Sequence, residues 1–250
     1  MKKVLISLLA VLLCFFMLAA CGGNSQPQQT DDPANGGENE AAQEPQEPEG
    51  PVYGTDGADA LALLPVNDPE NSWINDVAIP DCIDADLQEL YKAAWWLFNT
   101  YQIGGMNNSL DYQDKLTAGE YNWEYYRDTN FADWATFESA VRAVYTSEFA
   151  DRFLAVDMLL QGENGGLYSL DGGMGSEIDY VATEFELASE TADEIVVNCN
   201  SIFNPGAAEA YPDRPDSAND EIRTSELVFK KTDAGWRIDS FKLPMYPVTV

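Results

Sequence analysis

Glu194–Phe203 reads EIVVNCNSIF, with apolar side chains at Ile195, Val197 and Cys199 before it closes on Ile202 and Phe203. Spacing of two is the mark of a strand with one buried face, because successive side chains leave a pleated backbone on opposite sides. The pattern extends outward in both directions. Tyr180 to Ala188 carries Val181, Phe185 and Leu187; Glu221 to Lys231 carries Leu227 and Phe229; Gly235 to Leu243 carries Trp236, Ile238 and Phe241. Gly166 to Leu170 reads as a shorter strand ahead of them, closed by the turn-rich Asp171-Gly172-Gly173-Met174-Gly175. Strands in succession, with turn residues between them, predict an antiparallel sheet.

Upstream the period changes. Leu87, Leu90, Tyr91, Ala94, Trp95, Phe98 and Tyr101 recur every three or four residues, with Asp84 or Asp86 to cap the helix and Gly104-Gly105 to end it. Asp133 predicts the cap of a second helix bearing Trp134, Phe137, Val141, Val144 and Tyr145, and Thr146 restarts a short third with Phe149, Phe153 and Val156. Tyr121 to Tyr126 is aromatic and reads as a strand or an irregular exposed segment. Residues 61–82 contain Leu61, Leu63, Leu64, Trp73, Ile74 and Ile79 and are expected to wrap the core. Helices followed by strands predict an α+β domain, with the helices packed on one face of the antiparallel sheet.

The N-terminus follows a different logic. Lys2 and Lys3 precede an apolar run from Val4 to Leu18, too short to span a bilayer comfortably, which closes on Leu18-Ala19-Ala20-Cys21-Gly22. That pattern resembles a bacterial lipoprotein signal, residues 1–20, cleaved before a Cys21 that then carries lipid. Several acyl chains together make a durable anchor, so the expected location is the outer face of the cell membrane. Residues 21–60 contain Gly, Asn, Gln, Pro, Glu, Asp and Ala with almost no branched or aromatic side chain before Val52 and Tyr53. Such composition cannot bury enough surface to offset ordering entropy, so it predicts a disordered acidic linker with a reach of roughly 35 Å. A single domain is expected over 61–250.

The chain has 43 acidic and 13 basic residues, a formal net charge of −30, and the leader removes two of the few positive charges. Nucleic acid and anionic lipid surfaces require basic patches, so neither is an expected direct partner. A cationic partner, cation binding or solubility alone is compatible with the charge. Cys14 leaves with the leader and Cys21 is acylated, which leaves Cys82 and Cys199; in an oxidising compartment these could pair, or remain two separate buried thiols.

There is no histidine, which removes Ser-His-Asp and Cys-His catalysis and most zinc hydrolase sites. No nucleotide loop or nucleophile-elbow motif is present. Carboxylates are so numerous that a pair suited to glycoside hydrolysis, or a calcium cluster at Asp81, Asp84 and Asp86 or at Asp213, Asp216, Asp220 and Glu221, carries little weight by sequence proximity alone. No catalytic residue, metal ligand set or cofactor is assigned. Binding is the expected activity.

Tyr145-Thr146 with Phe149 and Phe153, then Gly166-Leu167-Tyr168, then Gly235-Trp236-Arg237-Ile238-Asp239 with Pro244, resemble the IseA-type DL-endopeptidase inhibitor family. Leu87 to Tyr101 is similar to its first helix, and the likeness covers most of 84–246. The resemblance implies a cystatin-like or NTF2-like fold and a role in restraining NlpC/P60-type hydrolases of cell-wall peptidoglycan. It also implies an acidic loop that plugs the enzyme's groove, for which the matching stretch is 213–221, with Asp213, Asp216, Asp220 and Glu221. The chain departs from that pattern in its long stalk and in a longer insertion after Phe203. An alternative expectation is a small-ligand or cell-wall-fragment module with Trp95, Trp96, Trp134 and Tyr121–Tyr126 around a pocket. A carboxylate-based hydrolase is the third, and it requires buried acids converging in one cleft.

Overall fold

The computed structural model describes residues 57–65, 77–103, 109–173, 175–210, 213, 215–243 and 245. All of them belong to one compact unit spanning Glu49–Val250. Cys21 and Gly104-Gly105 lie outside the described residues. So do Trp73, Ile74, Pro244 and the signal segment.

Four long strands form the expected antiparallel sheet. β5 (Tyr180–Glu190), β6 (Glu194–Phe203), β7 (Glu221–Thr232) and β8 (Gly235–Ser240) pair in sequence order. Ile195, Val197 and Cys199 on β6 lie beside Phe229, Leu227 and Ser225 of β7. Ile195, Val197, Cys199, Leu227, Phe229 and Ile238 are buried, so the period-two pattern does mark the core face. Onto that face pack α2 (Ala85–Tyr101), α3 (Trp134–Val144) and α4 (Ser147–Leu154), each in contact with β8. The class is α+β, as expected.

The helix signals hold with one change of role. Asp84, not Asp86, caps α2, its Oδ1 accepting from the Leu87 amide at 3.1 Å. Asp133 caps α3 through the Thr136 amide at 2.8 Å. Thr146 occupies the N-cap position of α4, but its hydroxyl makes no capping bond and reaches Asp239 instead. The Gly-Trp-Arg-Ile segment acquires a physical reason here. Arg237 is buried, and its Nε donates to the Arg142 carbonyl at 3.1 Å, placing a cation at the negative end of α3. Burial pushes the Arg237 guanidinium below its ordinary range.

Three features depart from expectation. First, there are two sheets. A second antiparallel sheet runs in the order β1-β2-β4-β3, built from β1 (Leu110–Ala118), β2 (Trp123–Asp128), β3 (Leu159–Gln161) and β4 (Leu167–Leu170). Its strands are interleaved with α2, α3 and α4, so the simple order of helices then strands is wrong. β1 escaped because none of its residues is buried and a bulge between Asp111 and Lys115 interrupts the pairing, leaving no alternation to read.

Second, helical structure begins inside the segment expected to be linker. α1 (Gly57–Ala62) buries Gly57 and Ala60 against α2. The helices approach so closely that a Cβ on Gly57 would collide with the Asp86 carbonyl oxygen, and only glycine lacks that atom. Third, the core is dense with rings. Trp96, Phe98, Tyr101, Tyr145, Phe149 and Phe153 are all fully buried, joined by contacts such as the stack of Tyr145 on Phe149 with centroids 4.5 Å apart. Trp96 and Phe98 are therefore packing residues. No helix among the described residues is long and apolar enough to cross a membrane.

Candidate functional site: an acidic corner held by Asn204

β6 ends at Phe203, and the chain then leaves the sheet for 17 residues, 204–220, before β7 begins at Glu221. This insertion contains the 213–221 stretch. Asn204, which is buried, organises it from below. Its amide nitrogen Nδ2 donates to the Asp216 carbonyl at 3.0 Å and to Asp220 Oδ1 at 2.7 Å. Its Oδ1 accepts from the Gly206 amide at 2.9 Å, and its own amide donates to the Asp179 carbonyl at 2.7 Å. One buried side chain thus ties both ends of the insertion to the start of β5. A polar group buried in this way is tolerated because its donors and its acceptor are all met.

The four acids expected to meet a partner divide into two pairs. Asp213 and Asp216 are exposed, and Asp216 Oδ1 also accepts from the Ala218 amide at 3.1 Å, pinning a short helical turn at Ser217–Asn219. Asp220 is held by Asn204. Glu221 is engaged by Arg223, whose Nε lies 2.9 Å away, and that hydrogen bond holds the Glu221 carboxyl below its usual range. Asp220 and Glu221 therefore shape the loop, whereas Asp213 and Asp216 face outward. No group of three or more His, Cys, Asp or Glu side chains converges on one point among the described residues, so neither acid cluster is assembled for calcium. Asp84 of the other cluster is engaged as the α2 cap.

Sequence reasoning missed the apolar part of this corner. Ile222 is 63% exposed and Ile178 is 74% exposed. They belong to the same neighbourhood: Arg223 Nη1 donates to Glu177 Oε2 at 2.6 Å, and the Arg223 guanidinium covers the Phe203 ring at 4.0 Å from its centroid. Each isoleucine is next in sequence to a member of the Glu177–Arg223 ion pair, and both leave their side chains to solvent. The sequence does carry a signal: Ile222 breaks the otherwise polar run Glu221–Glu226 that opens β7.

The residues expected around a small-ligand pocket do not come together. Trp96 is in the core, Trp134 packs edge-on against Phe137, and Trp123 and Tyr126 line a depression on the other sheet. Trp95 alone of that set borders the groove between α2 and β5, about 400 Å³ in volume, with Tyr91, Tyr180 and Phe185 among its walls. Among the described residues the acids do not converge as a buried group in a cleft: Glu124 and Asp171, which line one depression, are both exposed. Among the described residues Asp128 is the one fully buried carboxylate, and it accepts from the Asn130 amide at 2.7 Å and from the Tyr101 hydroxyl.

Cys82 and Cys199 are free thiols. Burial pushes the Cys199 thiol up to about 12, with the neighbouring Cys82 adding a smaller push in the same direction. A thiol held neutral in this way is inert rather than nucleophilic.

The fold and the corner define a two-sheet α+β domain with an acidic loop held by Asn204. No protein-family model and no curated protein matches the chain.

Proposed function

We propose that this protein is an extracytoplasmic lipoprotein, anchored through lipid on Cys21, whose α+β domain binds and restrains a cell-wall DL-endopeptidase of NlpC/P60 type. The observation that carries the reading is the Asn204-anchored corner, which presents exposed Asp213 and Asp216, together with exposed Ile178 and Ile222 next in sequence to the paired Glu177 and Arg223. A loop ordered before contact loses little entropy on binding. Apolar anchors ringed by charge provide affinity from the centre and steering from the rim. A net charge of −30 favours encounter with a basic enzyme surface. The exposed, surface-paired state of the acids supports binding over carboxylate catalysis.

The test is cleavage of muropeptides by a DL-endopeptidase of the same organism in the presence of the purified protein. Concentration-dependent slowing is expected, weaker at high salt and lost in Ile222→Asp and in Asp213→Lys with Asp216→Lys. Unchanged cleavage rates at a large excess of the protein overturn the reading. The groove beside Trp95 favours a second function, capture of a small apolar ligand. That function predicts stoichiometric binding of an environment-sensitive apolar dye, abolished by Trp95→Ala.

A further inference from the structure

The second sheet carries a surface that the corner does not explain. Its β1–β2 hairpin turns at Gly119 and Asn122, both in the left-handed region, and the tip presents Tyr121 and Trp123 to solvent. Tyr121 is 71% exposed and Trp123 44% exposed; their rings stand 5.9 Å apart and only 28° from parallel. Further along, Tyr112 is 52% exposed and its ring lies 4.8 Å from that of Tyr126. Four of the hairpin's rings thus lie outside the hydrophobic core cluster.

Carboxylates border these rings. Trp123 and Tyr126 line a depression of about 360 Å³ together with Glu124 and Asp171. Glu124 accepts from the Tyr126 hydroxyl at 2.9 Å and pairs with Lys115, and Tyr112 hydrogen-bonds Asp171. Each carboxylate has about four lone-pair sites, so both keep acceptor capacity toward solvent.

We infer that this hairpin binds a neutral glycan chain. A pyranose has a face of C–H groups and a rim of hydroxyls. An aromatic face, negative at its centre, attracts the C–H groups, and a carboxylate at its edge accepts the hydroxyls. Nucleic acid and sulfated polysaccharides also stack or hydrogen-bond, but Glu124 and Asp171 repel their charge. Side chains three positions apart on a strand leave opposite faces, so the stacked Tyr121–Trp123 pair at the tip is the platform, and the depression lined by Trp123, Glu124 and Asp171 lies at its edge. The site is separate from the acidic corner and independent of its partner.

The experiment titrates the purified protein with a soluble oligomer of N-acetylglucosamine, followed by isothermal titration calorimetry, with a heparin fragment as the anionic control. The neutral oligomer is expected to bind, and the double variant Tyr121→Ala, Trp123→Ala to weaken it about tenfold or more with unchanged far-ultraviolet circular dichroism. Trp123→Phe, which keeps a ring face, is expected to retain binding. Three results overturn the inference: no binding of the oligomer, equal binding by the double variant, or equal binding of heparin. Concentration-dependent dimers that the double variant abolishes overturn it too, by assigning the rings to a second copy of the chain.

Discussion

Thr146 Oγ1 donates to Asp239 Oδ1 at 2.9 Å, joining the junction between α3 and α4 to the last strand across 93 residues of chain. The Thr146 amide donates to the Ile238 carbonyl at 2.9 Å, and Tyr145 forms an isolated parallel bridge with Ile238. The residue that separates two helices thus behaves as a fragment of strand added to the edge of β8. The helical layer is registered on the sheet by backbone pairing as well as by side-chain packing.

Asp239 makes this junction sensitive to acid. Burial pushes its carboxyl up, but hydrogen bonds from Lys230 and Thr146 outweigh that and hold it below its usual range. A depressed carboxyl contributes stability above its unfolded pKa of about 3.9 and loses it as pH falls through the folded value. Thr146→Val is expected to cost about 1 kcal/mol at pH 7, the modest value of a partly solvated hydrogen bond to a charge. Urea unfolding at several pH values checks it: the gap between wild type and variant closes below about pH 4.

Asn204→Ala removes the anchor of the acidic corner without changing its charge. The lost bonds, one of them to a carboxylate, predict a destabilisation of about 1–3 kcal/mol in urea unfolding. Amide exchange should quicken at Ala218 and Asp220, whose backbone turn depends on the anchor. Inhibition of the endopeptidase should weaken although Asp213 and Asp216 remain, which separates preorganisation from simple charge.

Gly57→Ala places a Cβ where the Asp86 carbonyl stands, so α1 must move away from α2. The expected penalty is about 1–3 kcal/mol, the range for overpacking a tight contact. In a domain of this size it appears as a fall in Tm of roughly 2–10 °C. An unchanged melting curve would show that α1 contributes nothing to the fold.

The two thiols are expected to react unequally. A disulfide-exchange reagent should label the half-buried Cys82 in the folded protein and reach Cys199 only after denaturant is added. Because the Cys199 pKa is raised on folding, its contribution to stability is complete below the unfolded value of about 8.5. It is lost progressively as pH rises toward about 12. Cys199→Ala should therefore narrow the loss of stability seen in strongly alkaline buffer.

Local patterns were enough to identify most elements. Period two placed β4 to β8 to within three residues at each end, and the acids at Asp84 or Asp86 and at Asp133 announced two helices, because alternation and capping are properties of neighbouring residues. The acidic 213–221 loop was legible for the same reason, as a polar interruption between two strands. β1 was not, since an exposed, bulged strand has no buried face to write a period into its sequence. Nor was α1, whose small residues, Gly57 and Ala60, resemble a linker until the surface of α2 is present to receive them. Composition separated rings from charges but could not sort the rings: Trp96 and Trp123 look alike in sequence, and only packing made one a core residue and the other a tip. The same holds for the acids, where Asn204 reaching across the chain set Asp220 apart from Asp213. The amino-acid order determined which segments would be helix or strand, through contacts only a few residues long. The tertiary structure decided which side chains meet water, because burial depends on neighbours distant in sequence.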